Sequence, residues 1–325
     1  MDKPVLIYGA TGYTGRLIAT HARERGLSII VAGRSPERVG ELSEELGVPG
    51  RVFGLEDPAR VVEGLDGVAG VLNVAGPFRD TAEVLIRAGI QAGVHYLDTT
   101  AEFSTYELAE SVGADAERAG IMVMSGVGWD VVPTDSLAVH TAARVANPER
   151  IAIALRITGG FSRGSLASAA GIGDLGSLVR DAGQLVKLPA PETRVFDLGH
   201  GEEEYTLAPM GDLITAQRST GIANIRVYMR TDAGALPFAD DDKVGPTDEE
   251  RAQGRYEALA EVTGQDGQVA RSVISTPTGY TFTQHSSVEV ARRVAAGDYI
   301  AGFQSPASAY GALATSVADT HIADL

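Results

Sequence analysis

Cysteine is missing altogether from the 325 residues, which excludes disulfides, thiolate metal sites and a cysteine nucleophile together. Positive charge is in short supply. Lysine and arginine number 27 against 43 aspartates and glutamates, a formal net charge of −16. Such a surface repels nucleic acid and anionic membrane, so a phosphate-binding arginine must be a local exception. No apolar run approaches the roughly 20 residues of a membrane-spanning helix, and the N-terminus opens without a basic stretch or signal core. The expectation is a cytoplasmic protein with no nucleic-acid partner and no membrane span. Six histidines (His21, His95, His140, His200, His285 and His321) show no metal-ligand spacing, so no metal is expected. None of the ten tyrosines has a lysine four residues on, which argues against proton donation by a Tyr-x-x-x-Lys pair. There is no internal repeat and no low-complexity tail.

What the chain does have begins at once. The apolar run Val5-Leu6-Ile7-Tyr8 leads into Gly9-Ala10-Thr11-Gly12-Tyr13-Thr14-Gly15, and an amphipathic helix is expected from about Arg16 to Arg25. Strand, glycine turn and helix together form a phosphate cradle: backbone approaches a pyrophosphate closely, and the helix N-terminus offers free N–H groups. A second apolar run, 28–32, ends in Gly33-Arg34-Ser35-Pro36, with Ser35 as helix cap and Pro36 as first helical residue. An NAD enzyme places an acidic residue there to hold the ribose 2′-hydroxyl, whereas Arg34, Ser35 and Arg38 offer donors to a 2′-phosphate. NADPH is therefore expected over NADH.

Alternation of strands and helices continues. Strands are expected at 51–54, 68–73, 94–97 and 121–124, with helices from Asp57, over 80–92 and over 106–119. The fourth strand runs into Ala75-Gly76-Pro77-Phe78, a loop expected beside the nicotinamide half of the cofactor. Asp98 and Asp130 follow strand ends and are the candidates for handling a proton, with helix or loop capping as the competing role. The fold class is α/β: a doubly wound parallel (Rossmann) sheet over residues 1–135, with a second α+β domain over 136–299.

These motifs, with His95 to Thr100, Glu102 and Gly126-Val127-Gly128-Trp129-Asp130 through Pro133 and Asp135, resemble the saccharopine dehydrogenase-like oxidoreductases. The likeness is greatest to the short bacterial branch that includes trans-acting enoyl reductases. Segments 159–165 and 217–221, and Ser305-Pro306-Ala307 with Gly311, resemble it too. Ala101 stands where glycine is usual, Trp129 where phenylalanine is usual, and 228–279 is compressed. The resemblance implies NADP as cofactor, a homodimer built through the second domain, and a last helix near Pro306 to Val317, within 300–325, that completes the first domain.

In the second half, strands are expected at 150–157, 194–197, 225–229 and 268–275, with a glycine-spaced helix from Ser165 to about Leu185 and solvated acidic stretches at Asp240-Asp241-Asp242 and 247–255. Phe78 and Trp129 are expected as apolar walls, and Glu102, Trp129, Ser162 and Ser165 as substrate-pocket residues. The loop 159–168 is expected to cover the crevice at the carboxyl ends of the first sheet. Tyr205, Tyr280, His285 and Glu102 are alternative proton carriers, and Tyr13 covers the pyrophosphate. Two functions fit: an NADPH-dependent reductase of a C=N or conjugated C=C bond in a small molecule, or a non-catalytic NADPH-binding redox sensor.

Overall fold

The computed structural model describes residues 3–158, 160–169, 176–231 and 244–325. The chain divides into two compact units. Unit 1 holds residues up to 100 with 104–128 and 283–304; unit 2 holds 101–103, 129–282 and 305–325.

Unit 1 begins with β1 (Val5–Tyr8), α1 (Tyr13–Glu24), β2 (Ile29–Gly33), α2 (Pro36–Leu46), β3 (Gly50–Val52) and α3 (Pro58–Gly64). There follow β4 (Gly70–Asn73), α4 (Ala82–Ala92), β5 (His95–Asp98), α5 (Phe103–Ser111), α6 (Gly113–Arg118) and β6 (Met122–Met124). Every residue of β1, β2, β4, β5 and β6 is buried, the pattern of parallel strands covered on both faces. Helix starts follow their caps: the Ser35 hydroxyl accepts from Arg38 N–H and Asp57 from Ala59 N–H, each ahead of a proline. The expected 106–119 helix is two helices, starting earlier. Gly113 sits at the break, where an added Cβ would lie 3.0 Å from the Phe303 side chain.

Unit 2 continues with α7 (Val132–Ala142), β7 (Pro148–Ile157), α8 (Arg163–Ala169), β8 (Leu178–Asp181), β9 (Gln184–Lys187), β10 (Thr193–Asp197) and β11 (Glu202–Leu207). Next come α9 (Asp212–Thr220), β12 (Asn224–Thr231), α10 (Asp248–Gln253), β13 (Arg255–Gly264) and β14 (Val269–Pro277). The long helix expected over 165–185 is corrected to the short α8 and a β8–β9 hairpin. Ala182 and Gly183 turn that hairpin at φ 45° and 81°, the left-handed pair that a tight two-residue loop requires. Residues 170–175 lie outside the described residues, as do Gly159 and Asp240 to Asp242.

The chain ends with α11 (Gly279–Ala295), β15 (Gly302–Phe303), α12 (Pro306–Tyr310) and β16 (His321–Asp324). Most of α11, and all of β15, belong to unit 1. Its sheet is thus seven-stranded and parallel, in the order β15-β6-β5-β4-β1-β2-β3. The order reverses at β1, so the loops after β1 and β4 flank the crevice where such sheets bind ligands. Residues 283–304 are what returns to unit 1; α12 belongs to unit 2, where it packs on α7 and α9, and unit 1 closes at Gly128 rather than 135. Unit 2 is built on a mixed sheet ordered β10-β11-β12-β7-β13-β14-β16, with the β8–β9 hairpin attached to β12. Helix α7 covers one face through β13 and β14.

Candidate functional site

The glycines after β1 have separate duties. Gly9 takes φ 85°, and a Cβ there would lie 2.8 Å from the backbone of Ala75; at Gly15 a Cβ would lie 2.2 Å from the Gly9 carbonyl oxygen. These two let the β1 turn, the loop after β4 and the first turn of α1 close on one another. Gly12 is different. It is exposed, caps α1 without a side chain, and its N–H donates to the Gly9 carbonyl at 3.1 Å. Helix α1 starts at Tyr13 rather than Arg16 and carries no acidic residue in its first turn. An open, uncapped helix N-terminus behind a bare backbone turn suits a pyrophosphate.

Arg34, at the end of β2, is exposed. Arg38 extends from the first turn of α2, and its Nη2 donates to the Thr11 carbonyl at 2.6 Å. Ser35 accepts from the Arg38 N–H at 3.4 Å, so its oxygen serves the helix cap.

The loop Ala75-Gly76-Pro77-Phe78 is fixed from below by residues that the sequence reading passed over. Asn73, fully buried, accepts from Ala75 N–H at 3.0 Å and donates to Thr81 and to the Tyr96 hydroxyl. Thr81 donates to the Ala75 carbonyl at 2.8 Å. The Gly76–Pro77 bond is cis, and Phe78 is buried. The only signal for Asn73 was its place at a strand end.

Asp98 closes β5, with no exposed surface. Its carboxylate accepts from Thr100 N–H at 3.0 Å, Gly126 N–H at 2.9 Å and the Ser125 hydroxyl at 2.8 Å. Burial pushes the carboxyl up to about 6, against the pull of those donors. This is the geometry of a staple between the loops after β5 and β6, the capping role that the sequence left open. Tyr106 donates to the Thr100 carbonyl, and Gly126 leaves no room for a Cβ beside the Tyr106 hydroxyl. Ser286 donates to the Val127 carbonyl at 2.8 Å.

In unit 2, Trp129 is buried, donates from Nε1 to Thr276 at 2.8 Å and meets Tyr256 edge to face at 4.8 Å. Desolvation pushes the Asp130 carboxyl up to about 7. Asp135 is held by the Ser219 hydroxyl at 2.5 Å and Ala307 N–H at 2.7 Å. Asp212, unremarked in the sequence, is fully buried with both oxygens unpartnered among the described residues; burial raises it to about 7, and Asp135 and Asp130 push the same way.

Ser162 and Ser165 form a hydroxyl cluster with Tyr280. The Tyr280 oxygen accepts from Ser162 N–H at 2.6 Å and lies 2.9 Å from the Ser165 hydroxyl. Tyr280 and Tyr256 line a cavity of about 300 Å³ with Thr158, Thr278 and Arg251. Glu102 is buried. Asp98 and Asp130 fall in different units. His21 and His285 meet edge to face at 4.1 Å, and burial lowers both imidazoles. Among the described residues no cluster of three metal-ligating side chains occurs, and no helix is long and apolar enough to cross a membrane.

Residues 5–124 match the family described as the saccharopine dehydrogenase NADP binding domain. A trans-acting enoyl reductase of Mycobacterium ulcerans is 29% identical over 153 residues, 44% of this chain and 36% of that protein. A lipid droplet localized protein of Caenorhabditis elegans is 30% identical over 145 residues, 40% of this chain and 34% of that protein. The matched stretch thus spans about a third of these relatives' length. Among solved structures, apo saccharopine dehydrogenase (L-Glu forming) from Saccharomyces cerevisiae superposes with TM-score 0.63 over 99% of this chain and 100% of that one, at 10% identity. That likeness is one of fold. The glycine loop, the uncapped α1 and the lack of an acid at the end of β2 thus lie in a stretch, residues 5–124, that is similar to the NADP binding domain of the saccharopine dehydrogenases.

Proposed function

We propose that this chain is an NADPH-dependent oxidoreductase that delivers hydride to a C=N or conjugated C=C bond of a small organic substrate. The observation that carries this reading is the open N-terminus of α1 behind Gly9-Ala10-Thr11-Gly12, in a domain of a known NADP-binding family. The residues present fit the cofactor. The N–H groups of Tyr13, Thr14 and Gly15 would hold the pyrophosphate where Gly12 lets it approach, Arg34 would take the 2′-phosphate, and Ala75 to Phe78 would border the nicotinamide half. When bound, the nicotinamide supplies the hydride.

The remaining steps belong to the chain. Asp98 spends its oxygens on Thr100, Gly126 and Ser125, so it positions loops and does not carry a proton. Asp130, pushed up to about 7, can hold and release one at neutral pH and is assigned the proton. Trp129 gives an apolar wall, and Glu102, Ser162 and Ser165 bind polar groups of the substrate. The protein works as a cytoplasmic homodimer, with Val186 and Val195 exposed on unit 2 as candidates for the covered surface. A monomeric mass by light scattering at micromolar concentration would overturn that assembly.

The experiment is substrate-dependent NADPH oxidation across panels of imines, enoyl thioesters, enones and ketones. Turnover with an imine or a conjugated acceptor, lost in Asp130→Asn, is the expected result. Turnover of ketones alone overturns the proposed bond class, and tight NADPH binding with no turnover at all leaves the redox-sensor reading in its place.

A further inference from the structure

Arg34, Ser35 and Arg38 lie together in sequence, but the geometry gives them different work. Arg34 is exposed, and its one interaction among the described residues is electrostatic, with Tyr8. Arg38 is engaged: its guanidinium spans 27 positions of sequence to the carbonyl of Thr11, in the middle of the glycine turn. The start of that turn is already tied to the end of β2, where the Ala32 carbonyl accepts from Gly9 N–H at 2.9 Å and from Ala10 N–H at 3.3 Å. Beyond Thr11 the backbone runs straight into the first turn of α1, which has no side-chain cap.

The platform that carries Arg38 is stiff. Helix α2 has a serine cap with proline behind it and a left-handed Gly47 at its end, and it buries Val39, Leu42 and Leu46. Two further arginines link the same pair of helices, Arg16 of α1 to Glu45 and Arg23 of α1 to the Leu46 carbonyl. Arg38 is the member of this set that reaches the turn itself.

We propose that Arg38 is a positioning residue that fastens the glycine turn through the Thr11 carbonyl and so aims the N–H groups of residues 13–15, while Arg34 alone reads the 2′-phosphate. The inference rests on the NADP reading above. A guanidinium is suited to the task because its charge strengthens a hydrogen bond to a neutral carbonyl, and its planar fork loses little freedom in making one. A fastened turn presents its donors to any pyrophosphate, with or without a phosphate on the ribose. Loss of Arg38 therefore weakens both cofactors, and loss of Arg34 weakens one.

The test uses the full chain, with NADPH and NADH titrated by calorimetry into the unmodified protein, Arg34→Ala, Arg38→Ala and Arg38→Lys. Arg38→Ala is expected to weaken NADPH and NADH by the same factor, about three- to tenfold for one such bond. Arg34→Ala is expected to weaken NADPH alone. In the ligand-free protein, amides of residues 9–16 exchange hydrogen faster in Arg38→Ala than in the unmodified chain, while strands β4 and β5 are unchanged. Arg38→Lys, which keeps a donor of similar reach, recovers part of both effects; a general loss of structure would not show this. NADPH weakened with NADH untouched makes Arg38 a phosphate ligand and overturns the proposal, and so does unchanged exchange over 9–16. If the unmodified protein binds neither cofactor, the NADP reading fails, and the exchange comparison still decides whether Arg38 fastens the turn.

Discussion

Two buried carboxylates show how differently one fold can treat the same side chain. Asp98, at the end of β5 in unit 1, faces two backbone N–H groups and a serine hydroxyl. Asp212, at the start of α9 in unit 2, is equally buried, and both its oxygens lack a hydrogen-bond partner among the described residues; the Thr134 hydroxyl beside it pulls its carboxyl down but is turned to the Val131 carbonyl at 3.0 Å. Burial raises both carboxyls, but the donors pull Asp98 back to about 6, while Asp212 stands near 7 with Asp135 and Asp130 adding repulsion. A satisfied buried carboxylate organises the loops around it. An unsatisfied one is tolerated chiefly by keeping its proton.

The comparison breaks most visibly at Asp98. Alanine there leaves the Thr100 and Gly126 N–H groups and the Ser125 hydroxyl without their acceptor, and each orphaned buried group costs about 1–3 kcal/mol. The expected loss is about 3–5 kcal/mol in urea unfolding. Asparagine keeps an acceptor at Oδ1 for both N–H groups and offers its amide to Ser125, which can accept. Its expected cost is about 1 kcal/mol. Equal losses for Asp98→Ala and Asp98→Asn would show that the charge, not the hydrogen-bond geometry, does the stapling.

Asp212 sharpens the comparison through pH. Its folded pKa of about 7 lies above the ordinary value of 3.8, so the folded state binds the extra proton between those values. Stability from this group is full below about pH 4 and is lost as pH rises through 7. Asp212→Asn cannot ionise. Relative to the unmodified chain it should gain about 4 kcal/mol between pH 4 and pH 8, read from urea unfolding across that range. A pH-independent difference between the two proteins would mean that Asp212 titrates in the folded chain as it does in the unfolded one, so that burial does not raise it.

The same contrast explains which parts of the molecule could be read from sequence. Strands β1, β2, β4 and β5 announced themselves because both faces are covered, which forces unbroken apolar runs. Ser35-Pro36 and Asp57-Pro58 marked helix starts because a cap is a local event. Strand β13, which pairs with β7 and β14 near the middle of the unit 2 sheet, was missed. Its Glu257 and Glu261 look solvated in sequence, yet they pair with Arg156 and with Arg194 and Arg271. Strand β11, with three consecutive glutamates, was missed likewise. The site follows the same rule. The glycine turn was legible, whereas the Arg38 bond to Thr11, the Asn73 bonds under the Ala75 loop and the bare oxygens of Asp212 depend on chain segments that meet only on folding.

Asp135 lies between the two extremes and gives the finest test. Burial pushes it up to about 6, and two main donors hold it back: the Ser219 hydroxyl at 2.5 Å and Ala307 N–H at 2.7 Å. Ser219→Ala removes one donor and moves Asp135 from the condition of Asp98 toward that of Asp212. The folded pKa of Asp135 then rises further, so the variant differs least from the unmodified chain below about pH 4, where the carboxyl is protonated folded or unfolded. The difference grows as pH passes 6, because only then is the missing hydroxyl needed by a charge. A loss of about 1 kcal/mol at pH 8, shrinking toward pH 4, is expected from urea unfolding at the two values. A loss of the same size at both would mean that Ser219 contributes by packing alone, and that its hydrogen bond does not separate Asp135 from Asp212.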